Sequence, residues 1–285
     1  MRPAAFYYHA PATIDEALDL LAVHGADARI IAGGQSLVPA MSARLARPAH
    51  LIDINRVAHA ERPAVAAGRL RIPPLARHID FESGVVEGPL GHILAALHKH
   101  AGPLPVLMRG TFCGAIAHAD PASAWCLAAV TLNAEITVRS KSRGVRTVPA
   151  ATFFETIEVT VAEDDEMVVE VQIPLPDQFV RFGFSKVAPH SNHYGAASCL
   201  CVAEIDDRRA FNVRLGVGAV EDVPRRLTDV EELLERATPG IAVIREAAAL
   251  AASFVSPIEQ PGINARDQRE LTQTVVRHAL EEALL

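Results

Sequence analysis

The chain is predicted to be an α+β protein of two domains, on three observations. Its 285 residues exceed the usual single-domain size. Its opening alternates strand and helix signals, whereas from about Arg69 the pattern becomes short strands with turn punctuation. The stretch Pro174-Leu175-Pro176-Asp177 then introduces a segment of strands followed by helices. The expected division is 1–175, with subdomains of about 1–57 and 58–175, and a smaller sheet-plus-helices domain at 178–285.

The elements follow in order. An aromatic strand, Phe6 to His9, precedes Thr13-Ile14-Asp15-Glu16, a spacing that lets the first turn of a helix cap itself. Ala17, Leu18 and Leu21 supply that helix's apolar stripe, and Gly25 is suited to a left-handed stop. A strand at Arg29 to Ala32, a short helical stretch and a strand at Leu51 to Ile54 complete a strand–helix–strand start to a small parallel sheet. A helix is expected at Leu90 to His100, and another opening at Asp120-Pro121, with Asp as N-cap and Pro in the first helical position. Glu135 to Arg139, Arg146 to Val148 and Met167 to Ile173 form an antiparallel-looking group. Beyond the boundary lie strands around Phe182, Cys199 and Val213, the last two joined by an Asp206-Asp207 turn. Helices are expected near Val230 to Arg236, Ile241 to Phe254 and Gln268 to Leu284.

Composition narrows the function classes. Half the residues are hydrophobic and 21% are charged, which excludes a disordered chain. No apolar run approaches the roughly 18 residues of a membrane helix. The N-terminus lacks an apolar core followed by a cleavage site, so a cytoplasmic location is expected. A formal charge of −7 without a dense basic block argues against nucleic acid. Small molecules or protein partners remain. The four cysteines are too few and too irregular for a disulfide framework, a zinc ribbon or a compact iron–sulfur loop. Cys199 and Cys201 alternate onto one strand face and read as core filler. His98 with His100, and His190 with His193, lack carboxylate or thiol partners at ligand spacing and read as surface or loop residues. The acidic run Glu163 to Glu166 reads as a solvated turn.

Two segments carry the chemical signal. Ile31-Ala32-Gly33-Gly34-Gln35-Ser36-Leu37 runs from a strand into a glycine pair and small polar residues. Glycines allow the close approach that a pyrophosphate cradle of backbone N–H groups requires, and Ser36 adds a hydroxyl donor. Alone, such a pair is also simply a tight turn. The second segment, Arg109 to Pro121, has accessible backbone at Gly110, Gly114, Ala115, Ala117 and Ala119, with Thr111 and Asp120 as hydrogen-bonding groups. One such loop per subdomain suggests a long ligand held between them.

Ala32-Gly33-Gly34-Gln35-Ser36-Leu37-Val38-Pro39 followed by Leu51-Ile52-Asp53-Ile54 resembles the medium, flavoprotein subunit of molybdenum hydroxylases, a family that includes carbon monoxide dehydrogenase and xanthine dehydrogenase-like enzymes. The family's second signature, Arg-Asn-x-Gly-Thr-Ile-Gly-Gly followed by Ala-His-Ala-Asp-Pro, is matched at Gly110-Thr111, Gly114 and Ala117-His118-Ala119-Asp120-Pro121. The resemblance covers essentially the whole chain. It implies a FAD-binding domain of the vanillyl-alcohol-oxidase type, then the family's C-terminal domain, marked by Phe184-Ser185-Lys186 and Gly216 to Val220. It further implies that Ala32 to Ser36 hold the FAD pyrophosphate by backbone N–H groups, that Thr111, Gly114 and Ala115 line the second cofactor loop with Asp120 beside it, and that Ile31, Leu37 and His118 are also cofactor-binding residues. Lys186 would lie near the flavin, Ile173 against its ring, and Tyr194 close to the isoalloxazine.

The partners so implied are a molybdopterin-binding large subunit and a small subunit with two 2Fe–2S clusters, assembled as a dimer of heterotrimers. The implied activity is electron transfer from those clusters through FAD to a terminal acceptor, while the large subunit hydroxylates an N-heterocycle or another small molecule. Leu107-Met108 depart from the family's Arg-Asn, Cys113 replaces a glycine, and Ala124 replaces an acidic residue. The rivals are a stand-alone flavin-dependent oxidoreductase of the same superfamily, and a scaffold that kept the fold and lost FAD.

Overall fold

The computed structural model describes residues 2–57, 62–188, 196–258 and 262–285. The chain opens with β1 (Tyr7–His9), α1 (Ile14–His24), β2 (Ala28–Ile31), α2 (Leu37–Ser42) and β3 (His50–Asp53). The strands are parallel in the order β1-β3-β2, in keeping with the strand–helix–strand pattern. Thr13 accepts the Glu16 N–H at 3.1 Å, and the Glu16 carboxylate accepts the Ala12 N–H at 2.7 Å, one residue before the cap itself. Gly25 ends α1 at φ +48°, a setting that a side chain would strain. Ala17, Leu18 and Leu21 bury the α1 stripe in a small core with Ile52, Ile54 and Met167.

Next come β4 (Ala64–Ala66), β5 (Arg69–Ile72), α3 (Pro89–His98), α4 (Leu104–Arg109), α5 (Phe112–His118), α6 (Ala124–Thr131), β6 (Glu135–Ser140), β7 (Gly144–Pro149), β8 (Phe154–Thr156), β9 (Val159–Thr160) and β10 (Glu166–Pro174). Five of the strands make an antiparallel sheet in the order β4-β5-β10-β6-β7, as the antiparallel reading of residues 135–173 requires. Ion pairs Arg139–Asp15 and Lys141–Asp19 tie α1 to this sheet.

Four sequence expectations change here. The stretch read as a second cofactor loop is largely helical: Phe112 and Ile116, one turn apart, are both fully buried and anchor α5 to the core, and Thr111 caps it. Asp120 does not start the following helix; it accepts the Ala122 N–H at 2.8 Å in a tight turn, and Ser123 caps α6 three residues later. The acidic run is not wholly solvated, because Glu166 opens β10 as a buried carboxylate paired with Arg146. That pairing holds its carboxyl below the usual range despite burial. His98 likewise lies buried on α3, not at the surface.

The remaining elements are β11 (Val180–Val187), β12 (Ala197–Asp206), β13 (Arg209–Gly218), β14 (Arg225–Arg226), α7 (Thr228–Leu234), α8 (Ile241–Phe254) and α9 (Ala265–Leu284). Strands β11-β12-β13-β14 form an antiparallel sheet buried on both faces. Cys199 and Cys201 point to the core shared with α8 and α9, as their alternation predicts, while Leu200 and Val202 belong to the core that holds α6. Helix α6 is buried on every side, which explains why its sequence has no polar face. Among the described residues no helix is long and apolar enough to cross a membrane.

Gly183 shows how closely α9 sits on the sheet: a Cβ there would lie 2.0 Å from the Ala279 carbonyl oxygen. Gly183→Ala is expected to lower the stability of the chain by about 1–3 kcal/mol, the usual range for overpacking, as read by chemical denaturation. An unchanged denaturation midpoint would contradict this close packing.

Candidate functional site

The turn after β2 is shaped by Gly34, at φ +70°, and by the Val38 N–H, which donates to the Gly34 carbonyl at 3.0 Å as α2 begins. Among the described residues, the N–H groups of Gly33, Gly34, Gln35 and Ser36 donate to no acceptor of the chain. Ile31 to Leu37 are all partly exposed, so the four donors are not sealed in the core. Buried N–H groups are nearly always paired, and a run of unpaired ones at a glycine turn suits an anion. Gln35 folds back to donate to the Gly33 carbonyl at 3.0 Å, and the Ser36 hydroxyl makes no capping bond.

A polar network holds this turn from behind. Asn55 donates from Nδ2 to the Ala32 carbonyl at 2.7 Å, and its backbone N–H reaches Asp53 Oδ1 at 2.9 Å. Tyr8 donates its hydroxyl to Asp53 Oδ2 at 2.6 Å. Burial pushes the Asp53 carboxyl upward, but the bonds from Tyr8 and Asn55 outweigh it and leave the group below its ordinary range. The Arg77 guanidinium donates to Asn55 Oδ1 and also to the Arg109 carbonyl, and so joins the first turn to the second segment.

The second segment is pinned by the backbone. His78 N–H donates to the Gly110 carbonyl at 2.9 Å, and Phe112 N–H to the Ala76 carbonyl at 3.0 Å. The two segments then meet at glycine: a Cβ on Gly33 would lie 2.5 Å from the Arg109 carbonyl oxygen and 2.7 Å from Gly110 Cα. Backbone-to-backbone approach this close excludes any side chain at Gly33. Burial, with Arg109 beside it, lowers the Arg77 guanidinium below its usual range. An anion placed near this pair would relieve that repulsion.

The expected site residues fall in separate places. Ile31 to Leu37 form the turn described above. Thr111 is buried, and its hydroxyl oxygen accepts the Gly114 N–H at 3.1 Å, which commits that oxygen and that N–H to the α5 cap. Gly114 and Ala115 are partly exposed on α5, and His118, in its last turn, faces Glu158 at 3.6 Å. Asp120 is coupled electrostatically to Lys186 on β11. Burial raises the Asp120 carboxyl and lowers the Lys186 ammonium, and each partner's charge opposes that shift. Ile173 is corrected outright: strand alternation turns it into the main core, where it is fully buried and presents no surface for a ring to lie against. Tyr194, like His190 and His193, lies outside the described residues.

The departures from the family signature also find places. The Cys113 thiol is buried against the Ile72 and Pro73 carbonyls, and burial pushes its pKa far above the thiol range; it adds no side chain to the cleft between the segments. Ala124 is buried at the start of α6, and Met108 is exposed on α4. Asn55 and Arg77 were not anticipated. Asn55 follows directly on Leu51-Ile52-Asp53-Ile54 and was within reach of a motif reading; Arg77 is brought in by tertiary packing alone.

A family described as FAD binding domain in molybdopterin dehydrogenase matches residues 4–176, and one described as CO dehydrogenase flavoprotein C-terminal domain matches residues 183–283. The chain is 32% identical to the nicotine 6-hydroxylase medium subunit of Paenarthrobacter nicotinovorans, with 99% of each chain covered. It is 26% identical to caffeine dehydrogenase subunit beta of Pseudomonas sp. strain CBB1, covering 99% of this chain and 96% of the other. Its structure is similar to carbon monoxide dehydrogenase from Hydrogenophaga pseudoflava, at TM-score 0.92 and 28% identity over 99% of this chain and 98% of the other. Quinoline 2-oxidoreductase from Pseudomonas putida 86 is similar at the same TM-score of 0.92 and 28% identity, over 100% and 98% of the two chains.

Proposed function

This chain belongs to the FAD-binding medium subunits of the molybdenum hydroxylases, and from that membership we propose that its two juxtaposed glycine segments hold FAD by the pyrophosphate. The observation that carries the assignment is the unpaired N–H run of Gly33 to Ser36, set against Arg109-Gly110 with no room for a side chain between them. Arg77 and Arg109 supply positive charge beside those donors. Lys186 and Asp120, facing each other across residues 1–175 and 178–285, set the charge on the flavin side of the site. Those two segments are the folding units of this reading.

When bound, FAD would supply the redox chemistry that links the 2Fe–2S clusters of a small subunit to a terminal acceptor. The chain's residues bind and orient; none acts as an acid or base on the organic substrate. That substrate is hydroxylated in the molybdopterin-binding large subunit. The relatives named for nicotine, caffeine and quinoline support an N-heterocycle. The assembly of this reading is a cytoplasmic dimer of heterotrimers.

The test is the visible spectrum of the complex purified from its native source, with cofactor release and subunit analysis on the same sample. Non-covalent FAD, iron–sulfur absorbance and two companion chains are expected. FAD on a lone chain that turns over its own substrate would transfer the assignment to a stand-alone flavoenzyme, and absence of flavin would remove it.

Asn55→Ala gives a second check. It frees the Ala32 carbonyl and one end of the Arg77 bridge, and net hydrogen-bond values of about 0.5–1.5 kcal/mol each predict FAD binding weakened roughly tenfold. Flavin titration of the apoprotein reads the change. Affinity equal to that of the unmodified chain would remove Asn55 from the positioning network.

A further inference from the structure

A second chemical cluster lies near the FAD turn but on the other face of its sheet. His9 on β1, His24 in the last turn of α1 and His50 on β3 converge so that one ring nitrogen from each falls within 4.8 Å of the other two. His9 Nε2 and His50 Nδ1 are 2.9 Å apart, and the His24 and His50 rings stack with centroids 3.6 Å apart. Among the described residues, no carboxylate, hydroxyl or backbone group hydrogen-bonds any of the three rings, and the His9–His50 contact is the one hydrogen bond their nitrogens make. Tyr8 alternates with Tyr7 and His9 along β1 and points the opposite way, toward Asp53. The cluster is therefore distinct from the cofactor network.

We propose that His9, His24 and His50 form a binding site for one divalent transition-metal ion of the zinc or copper class. Imidazole nitrogens suit those metals, and three histidines with an open fourth position are an established coordination set for zinc. Tetrahedral coordination at zinc–nitrogen distances of about 2.0–2.1 Å separates ligand nitrogens by about 3.3 Å. The His9–His50 separation of 2.9 Å lies below that value, and all three nitrogens lie within 4.8 Å of one another. Asp27 adds negative charge near His50. All three histidines are partly exposed, and His9 also lines an open cleft with Glu16 and Asp19, which gives an ion a route in. A bound ion would fasten β1, α1 and β3 together on the face opposite Tyr8 and Asp53.

The experiment uses the untagged full-length chain and zinc ion alone, in equilibrium dialysis with metal analysis. One zinc per chain is expected, with a rise in the thermal midpoint of the unmodified chain, because an ion that binds only the folded state stabilises it. His24→Gln and His50→Gln should each weaken binding at least tenfold, whereas His92→Gln, at an exposed position on α3, should leave it unchanged. The zinc-dependent midpoint shift needs no variant and stands even if a substitution impairs folding. No shift, or zinc uptake that survives both cluster substitutions, would overturn the site.

Discussion

A chain carrying Gly33→Ala is expected to fold and to purify without flavin. The added Cβ would sit 2.5 Å from the Arg109 carbonyl oxygen and 2.7 Å from Gly110 Cα, where separations below 3.0 Å force something to move. Neither neighbour is a flexible side-chain end. Arg109 O is held by Arg77, and Gly110 O by the His78 N–H, while Ala32 on the other side is held by Asn55. The two segments must therefore separate, and the N–H groups of Gly33 to Ser36 lose the alignment by which they are proposed to hold the pyrophosphate. Hydrogen bonds to charged groups contribute about 1.5–3 kcal/mol each, so losing two weakens FAD binding by roughly 100-fold or more. Gly34→Ala provides the contrast. Its Cβ would meet only the Ile31 and Val38 side chains, and its main penalty is the left-handed backbone at φ +70°, about 1–2 kcal/mol. Flavin per chain after purification, measured with far-ultraviolet circular dichroism on the same samples, separates loss of cofactor from loss of fold. A Gly33→Ala chain that keeps one flavin with affinity within tenfold would show that the glycine contact does not position the cofactor.

How much of this was legible in the sequence depended on the range of the interaction. The parallel opening sheet, the antiparallel group and the C-terminal helices follow from local periodicity and turn residues, and the alternation from Ala197 to Val202 places Cys199 and Cys201 on one face of β12. The glycine turn at Gly33-Gly34 was readable because its backbone requirement is local. Helix α5 was obscured because Gly114, Ala115 and Ala117 look permissive in isolation; burial of Phe112 and Ile116 decides the matter, and burial is a tertiary fact. Ile173 was misplaced for a related reason, since a strand's inner and outer faces are indistinguishable until its neighbours are known. Asp120 before Pro121 reads as an N-cap, and only the hydrogen bonds show that Ser123 takes that role instead. Arg77 had no local signal at all: it bridges Asn55 and Arg109, 22 and 32 residues away along the chain.

Acid is expected to destabilise the folded chain and release its flavin through His78. This imidazole is buried, 5% exposed, with Nδ1 lacking a partner among the described residues. Burial first, then the nearby His98 and Arg77, lower its pKa to about 4 from an ordinary 6.5. The folded chain thus binds this proton less well than the unfolded chain. The stabilising contribution is complete above about pH 6.5 and is lost as pH falls toward 4, which amounts to about 3 kcal/mol at 1.36 kcal/mol per unit. His78 also forms the wall against Gly110, where a Cβ would lie 2.6 Å from its ring, and its N–H holds the Gly110 carbonyl. A protonated ring that seeks water therefore pulls on the segment that faces Gly33, so flavin release should track the loss of stability within the same pH window. Replacing the histidine by an apolar ring, His78→Phe, or by the smaller His78→Leu, removes the titration. Denaturation at pH 7 and at pH 4 should show the unmodified chain losing about 3 kcal/mol more than either variant. Equal losses would mean that the acid response arises elsewhere, and that the His78 wall does not couple protonation to the cofactor site.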